Sequence, residues 1–270
     1  DGAMKVNSEM YPSDDIKKAT ETFLVAKENL NADLLKMSPG NDLLMAVAFS
    51  VETDKVVKLM KNFKPPKMDS ISNQVEKTTG VPGKDILEAL SGDFVLAVNG
   101  APEGSSIPVE ILIGIGLDDE TLQEKMMGRV GNMAQVEKEG DFFMIKAGGL
   151  ELYSGIVKGI WVITNVPGYK DAIAGKGLKQ NLSDSQFKDY ADGSMGMYMN
   201  LDLTTYPAAL QNMMTSGGAP KTLELLTESF DYLGMEASNY ENRMILKTAN
   251  DKENSLYTLL RLMESFKKTN

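Results

Sequence analysis

Between Met133 and Asn165 the chain breaks into short alternating segments separated by Glu139-Gly140, Ala147-Gly148-Gly149 and Lys158-Gly159. Alternation with period two sends successive side chains to opposite faces of a strand, and glycine supplies the positive φ that tight hairpin turns require. The stretch therefore predicts an antiparallel meander of four strands. With Lys158-Gly159 as a two-residue turn, Val157 pairs with Ile160 and Ile156 with Trp161. Trp161 then shares a face with Leu152, Ser154, Ile156 and Ile163, and Tyr153 falls on the opposite face. That placement makes Trp161 a packing residue and argues against a Tyr153–Trp161 sugar-stacking platform.

On either side of the meander the periodicity alternates between three-to-four and two. The first dozen residues are polar and read as loose. Ser13 is a candidate N-cap, with Asp14 and Asp15 favouring the positive end of a helix, and Ile16, Ala19, Phe23, Ala26, Leu30 and Leu34 predict one long helical face ending at Pro39-Gly40. Leu43–Val51 reads as a strand with Leu43, Met45, Val47 and Phe49 on one face. Its other face carries Ala46, Ala48 and Ser50, small residues on which a helix can lie. Helical stretches follow at Thr53–Phe63, Asp69–Thr78 and Lys84–Leu90, then strands at Phe94–Val98 and Ile107–Leu117, and a helix from Asp118 to about Met127. Beyond the meander, short helices are predicted at Tyr169–Ala174 and Asp184–Tyr190. A strand from Gly193 turns Met195, Met197 and Met199 one way and Tyr198, Asn200 and Asp202 the other. Helices at Tyr206–Met214 and Pro220–Leu233, a hairpin of Met235–Tyr240 with Arg243–Thr248, and a terminal helix capped by Asn254 complete the reading.

Helices interleaved with antiparallel hairpins indicate an α+β fold rather than a doubly wound parallel sheet. The order strand, helix, helical segment, hairpin, helix describes both 43–128 and 194–267, and Phe49-Ser50-Val51-Glu52-Thr53 is echoed by Asn200-Leu201-Asp202-Leu203-Thr204-Thr205. A tandem β-α-α-β-β-α duplication joined by the central meander is the expectation. The halves are then 1–165, including the meander, and 166–270.

Composition excludes whole classes of chemistry. The chain contains neither Cys nor His, so disulfides, thiolate nucleophiles, imidazole bases and Cys- or His-bearing zinc sites are ruled out. Thirty-eight acidic residues against 28 basic give a net charge of −10, with only three scattered Arg (Arg129, Arg243, Arg261), which argues against nucleic acid and anionic membrane surfaces as partners. No apolar run approaches the ~20 residues that a membrane-spanning helix needs. No cofactor is expected. No metal is expected either: the remaining ligands are taken to be carboxylates, which suit hard cations, and no transition metal should be held tightly.

Paired carboxylates are the general acid/base chemistry that survives this census. The best local candidate for a binding or catalytic face is Tyr198, Asn200 and Asp202, with an ordinary strand face and helix cap as the competing account. Asp118, Asp119 and Glu120 are expected to cap a helix rather than hold a cation. Ser185-Gln186-Phe187-Lys188 has Ser-x-x-Lys spacing but lacks the companion Lys-Thr-Gly and Ser-Asp-Asn motifs. Gly114 and Gly116 lie inside a strand and are expected to admit a closely packed helix rather than a phosphate. The 195–197–199 methionine stripe is expected to be core, with a lipid pocket as its alternative use.

Ile86-Leu87-Glu88-Ala89-Leu90-Ser91-Gly92-Asp93-Phe94-Val95-Leu96-Ala97-Val98 and Asn254-Ser255-Leu256-Tyr257-Thr258-Leu259-Leu260-Arg261-Leu262-Met263 resemble phrases of an uncharacterised family of Bacteroidetes predicted lipoproteins. The resemblance implies an envelope location, periplasmic or surface, with no assigned activity and no functional residue to carry over. Such lipoproteins carry an acylated Cys near the start; this sequence has none, so the expectation is an anchor that was removed, that lies upstream of Asp1, or that never existed. The expected function is a non-enzymatic envelope interaction or binding module whose partner is an envelope protein or glycan. The alternatives are a carboxylate-dependent glycan hydrolase and a carrier of apolar ligands.

Overall fold

A computed structural model describes residues 2–15, 25–63, 68–131, 134–216 and 227–250, with 254, 256–258 and 260 near the C-terminus. Its frame is one antiparallel sheet of eleven strands: β1 (Ala3–Glu9), β2 (Leu43–Ser50), β3 (Leu90–Gly100), β4 (Val109–Leu117), β5 (Gln135–Glu139), β6 (Phe142–Ala147), β7 (Leu150–Val157), β8 (Ile160–Thr164), β9 (Met195–Asn200), β10 (Phe230–Ala237) and β11 (Glu241–Thr248). The spatial order is β1-β11-β10-β9-β2-β3-β4-β8-β7-β6-β5. The α+β reading is correct. From the central β2·β9 pair, β3, β4 and β8 follow in one direction and β10, β11 and β1 in the other.

The meander has its predicted register. Val157 pairs with Ile160 and Ile156 with Trp161, because Lys158 and Gly159 both take positive φ, 53° and 73°, as a two-residue turn matched to strand twist demands. Trp161 is 5% exposed and packs beneath α4 (Gly83–Ala89) and α5 (Thr121–Val130), with Val81, Leu117, Leu122 and Met127 around it. Its Nε1 donates to Ser154 Oγ at 2.8 Å, and Gln123 Nε2 donates to the same oxygen at 3.2 Å. Tyr153 lies in the other core, on the opposite face.

That second core covers Ala46, Ala48, Val95, Ala97 and Leu112 with α1 (Ala32–Met37) and the turns between Leu182 and Tyr190. A β-carbon at Gly114 would stand 3.3 Å from Leu34 of α1 and 2.9 Å from Val95, so this glycine does admit a close helix. The small face of β2 is thus the sealed one. Further α-helices are α2 (Thr53–Phe63), α3 (Met68–Thr79), α6 (Pro167–Asp171) and α7 (Ala208–Ser216).

Four readings need correction. The polar N-terminus is β1, paired over its whole length with β11, because an edge strand needs ladder partners more than apolar side chains. The long helix predicted through Leu34 is interrupted over 25–31, where Ala26 bridges Val51; α1 begins only after Asn31, whose side chain accepts from the amides of Asp33 and Leu34. Its section at 16–24 lies outside the described residues. The helix predicted over Pro220–Leu233 gives way by Phe230 to β10, where pairing with β9 and β11 overrides helical periodicity; residues 217–226 lie outside the described residues. The methionine stripe is not sealed core, as described next.

Candidate functional site

Directly opposed residues in an antiparallel ladder point to the same face, so the registers assemble this surface row by row. One row runs Trp161–Ile115–Phe94–Phe49–Met195–Ala237. The next runs Ile163–Ile113–Leu96–Val47–Met197–Met235–Met244–Val6. A third runs Ile111–Val98–Met45–Met199–Leu233–Leu246–Met4. No polar side chain interrupts these stretches. The rows contain seven of the chain's 18 Met.

Coverage changes along the rows. At one end α4 and α5 bury Trp161 and pack against the half-buried Ile115 and Ile163. From β3 to β1 the side chains are half-buried, and Phe49 (36%), Met195 (39%) and Val6 (46%) are exposed. Phe49 and Phe94 stack with centroids 4.9 Å apart. The three rows thus form one continuous apolar surface that is only partly covered. Sequence alternation identified its members but assigned it to the interior, because Ala46 and Ala48 opposite looked equally apolar.

The candidate trio is brought together at the end of β9, with Asp202 just beyond it, but its groups serve the fold. Tyr198 is buried on the sealed face between Tyr190 and Tyr232, with centroids 6.4 and 5.7 Å away. Burial, with the nearby Tyr232, Tyr206 and Asp231, pushes its phenol up to about 12. Asn200 receives the Asp202 amide at 2.9 Å and donates to Thr205 Oγ1 at 2.8 Å. Asp202 Oδ1 accepts from the Thr204 amide and hydroxyl at 2.9 and 2.6 Å, which caps a short helical turn.

Sequence reasoning missed the cluster around Asp93. This carboxylate, 7% exposed, accepts from Lys27 Nζ at 3.1 and 3.2 Å, Asn31 Nδ2 at 3.2 Å and Ser91 Oγ at 2.9 Å. Burial raises its pKa, but the neighbouring Ser50 hydroxyl and the hydrogen bonds from Asn31, Ser91 and Lys27 outweigh that and hold the carboxyl below its usual range. A general acid needs a shift in the opposite direction. The cluster ties segment 25–31 to the bulge where Gly92 takes φ 88° and a β-carbon would collide with the Val51 carbonyl. The Ser-Gly-Asp turn signalled the bend but not its partner, Lys27, 66 residues away.

The other candidates resolve in the same way. Ser185 is buried, donates to the Leu182 carbonyl and accepts from the Phe187 amide, so it caps a turn instead of facing Lys188. Asp119 accepts from the Thr121 amide and hydroxyl, both at 2.9 Å, as a cap should. Among the described residues no group of three or more His, Cys, Asp or Glu is placed to hold a metal ion, and no helix is long and apolar enough to cross a membrane. A polar hollow of about 350 Å³ lies near the β1 edge, between Asn7, Glu9, Asp192, Glu236 and Arg243. There Arg243 Nη2 stands 2.7 Å from Glu236 and its guanidinium lies over the Tyr190 ring.

No family model and no curated protein matches the chain. Among solved structures it is similar to TP0453, crystal form I, at 11% identity over 87% of this chain and 86% of that one, with a TM-score of 0.42. A likeness at that level carries no argument about either chain's function.

Proposed function

We propose that this chain is a non-enzymatic binding module of the bacterial envelope and that it binds apolar ligands through the half-open methionine face. The observation that carries the reading is the change of cover along one surface: Trp161 is buried beneath α4 and α5, the residues between are half-buried, and Phe49, Met195 and Val6 are exposed. Methionine suits such a role because its unbranched, polarisable side chain adapts to ligands of varied shape. The envelope location rests on the resemblance of the 86–98 and 254–263 phrases. The hydrolase reading loses ground because Asp202 is committed to a cap and Asp93 is held below its ordinary range.

The two-halves reading is supported by the sheet order. Starting from the central pair, Val47 corresponds to Met197, Leu96 to Met235 and Ile113 to Met244, while β1, though part of 1–165, pairs at the far edge of the other half. The same register sets Ser50-Val51-Glu52 against Asn200-Leu201-Asp202, the echo noted in the sequence. In this reading the halves meet through β2 and β9, and the meander strands β5–β7 are an addition to one of them.

Titration with a fluorescent long-chain fatty-acid analogue tests the binding site. Saturable binding, competed by unlabelled fatty acid and abolished by Met197→Lys with an unchanged circular dichroism spectrum, is expected. Absence of saturable binding, or full binding by the folded Met197→Lys variant, would overturn the reading.

A further inference from the structure

A chain without Cys or His still has one soft metal ligand, the methionine thioether, and the sheet gathers it in one place. Met197 lies directly opposite Met235 on the neighbouring strand, and Met199 follows two residues after Met197 on the same face. Directly opposed β-carbons lie about 5 Å apart and diagonal ones about 7–8 Å, while residues two apart on one strand are separated by about 7 Å. The three side chains therefore rise from the corners of a small triangle. Each has three rotatable bonds before its methyl group, enough to turn its sulfur towards the middle. Met45, opposite Met199, and Met244, opposite Met235, flank the triangle with two more thioethers.

Thioethers are neutral and soft. They bind carboxylate-preferring cations such as Mg²⁺ or Ca²⁺ poorly and select Cu(I) and its congener Ag(I). A monovalent ion also suits this setting, since three neutral ligands leave one positive charge in a half-buried apolar surface rather than two. Access is open, because all three side chains are half-buried rather than sealed. We propose that Met197, Met199 and Met235 form a three-thioether site for Cu(I) or Ag(I). The site shares its face with the proposed apolar ligand but does not depend on that ligand. It also revises the sequence-based expectation of no tightly held transition metal, which counted carboxylates alone as the remaining ligands.

The test replaces thioether by hydrocarbon of similar volume, a change that cores tolerate well. The full chain is incubated with one equivalent of Ag(I), or of Cu(I) kept reduced by ascorbate, passed through a desalting column, and assayed for bound metal. The expected result is one ion retained per chain. Met197→Leu should weaken binding at least tenfold, and the triple Leu variant should retain none, while Met213→Leu, at an exposed position on α7, changes nothing. Fatty-acid binding should survive the triple Leu substitution because the face stays apolar, which separates this proposal from the preceding one. Absence of retained metal, or equal retention by the triple variant, would overturn the site. X-ray absorption of the Cu(I)-loaded wild-type chain gives an answer even if the triple variant fails to fold: an all-sulfur shell supports the site, and an oxygen or nitrogen shell refutes it.

Discussion

Trp161 and Met195 belong to one row of the same sheet, yet the first is 5% exposed and the second 39%. The strands beneath them are built alike, with antiparallel ladders, apolar side chains on both faces and small residues where a helix approaches. What differs is the chain overhead. At the meander end, α4, the Val81 turn before it and α5 bring Val81, Ala89, Leu122 and Met127 down onto the row, and Gln123 reaches the Ser154 hydroxyl that also serves the indole. Apolar patterning makes a sheet face capable of burial, whereas the arrival of another element decides whether it becomes core or a surface for something else.

Four measurements sharpen this contrast. Trp161→Ala should have the largest effect, a loss of about 3–5 kcal/mol from an aromatic removed where its surroundings cannot collapse, read as a large drop in melting temperature. A loss comparable to that at an exposed position would break the comparison. Ser154→Ala comes next. It strands two buried donors, the indole N–H and the Gln123 amide, and should cost about 1–3 kcal/mol in urea unfolding. A neutral result would mean that water replaces the hydroxyl and that the Trp161 end is less sealed than described.

The third measurement concerns the other face, where Lys27 and Asp93 fasten segment 25–31. Because the folded Asp93 has a pKa below its unfolded value, its stabilisation is complete above the unfolded pKa, near 4, and is lost as pH falls through the folded pKa. Melting temperature should therefore decline below about pH 4, and less steeply in Asp93→Asn. Between pH 6 and 8 the profile should be nearly flat, since no residue type present titrates there unperturbed. A decline centred at pH 6–7 would point instead to a raised carboxyl and revive the hydrolase reading. The smallest effect is expected for Met195→Leu, within about 0.5 kcal/mol as for most surface substitutions; a large loss would show that the open end is packed after all.

The sequence was most informative where local chemistry alone fixes geometry. Lys158-Gly159 set a turn, the turn set a register, and the register placed Trp161 against Ile156 and Ile115. It was least informative where two solutions have similar local energies. In β2, Ala46 and Ala48 on one side and Met45 and Val47 on the other are both acceptable interiors, and only the distant Leu34 and Tyr198 decide between them. Ala3–Glu9 looked loose for the same reason, since its structure comes from the ladder partners at 241–247 rather than from its own side chains. For the candidate site, the sequence brought Tyr198, Asn200 and Asp202 to one strand face but could not show that Thr204, Thr205 and the tyrosine core already occupy them.

The pairing of β1 with β11 has a consequence in time. Ala3 meets Lys247 and Glu9 meets Glu241, so β1 is synthesised more than two hundred residues ahead of its ladder partner. At about 5–20 residues per second of synthesis, Met4 and Val6 wait on the order of ten to fifty seconds before Leu246 and Met244 exist to receive them. For that interval the nascent chain carries an unpaired strand with its hydrogen-bonding groups unmet. The Lys5, Asn7, Ser8 and Glu9 side chains, which looked like marks of disorder, are what such a strand needs to remain solvated until its partner is made.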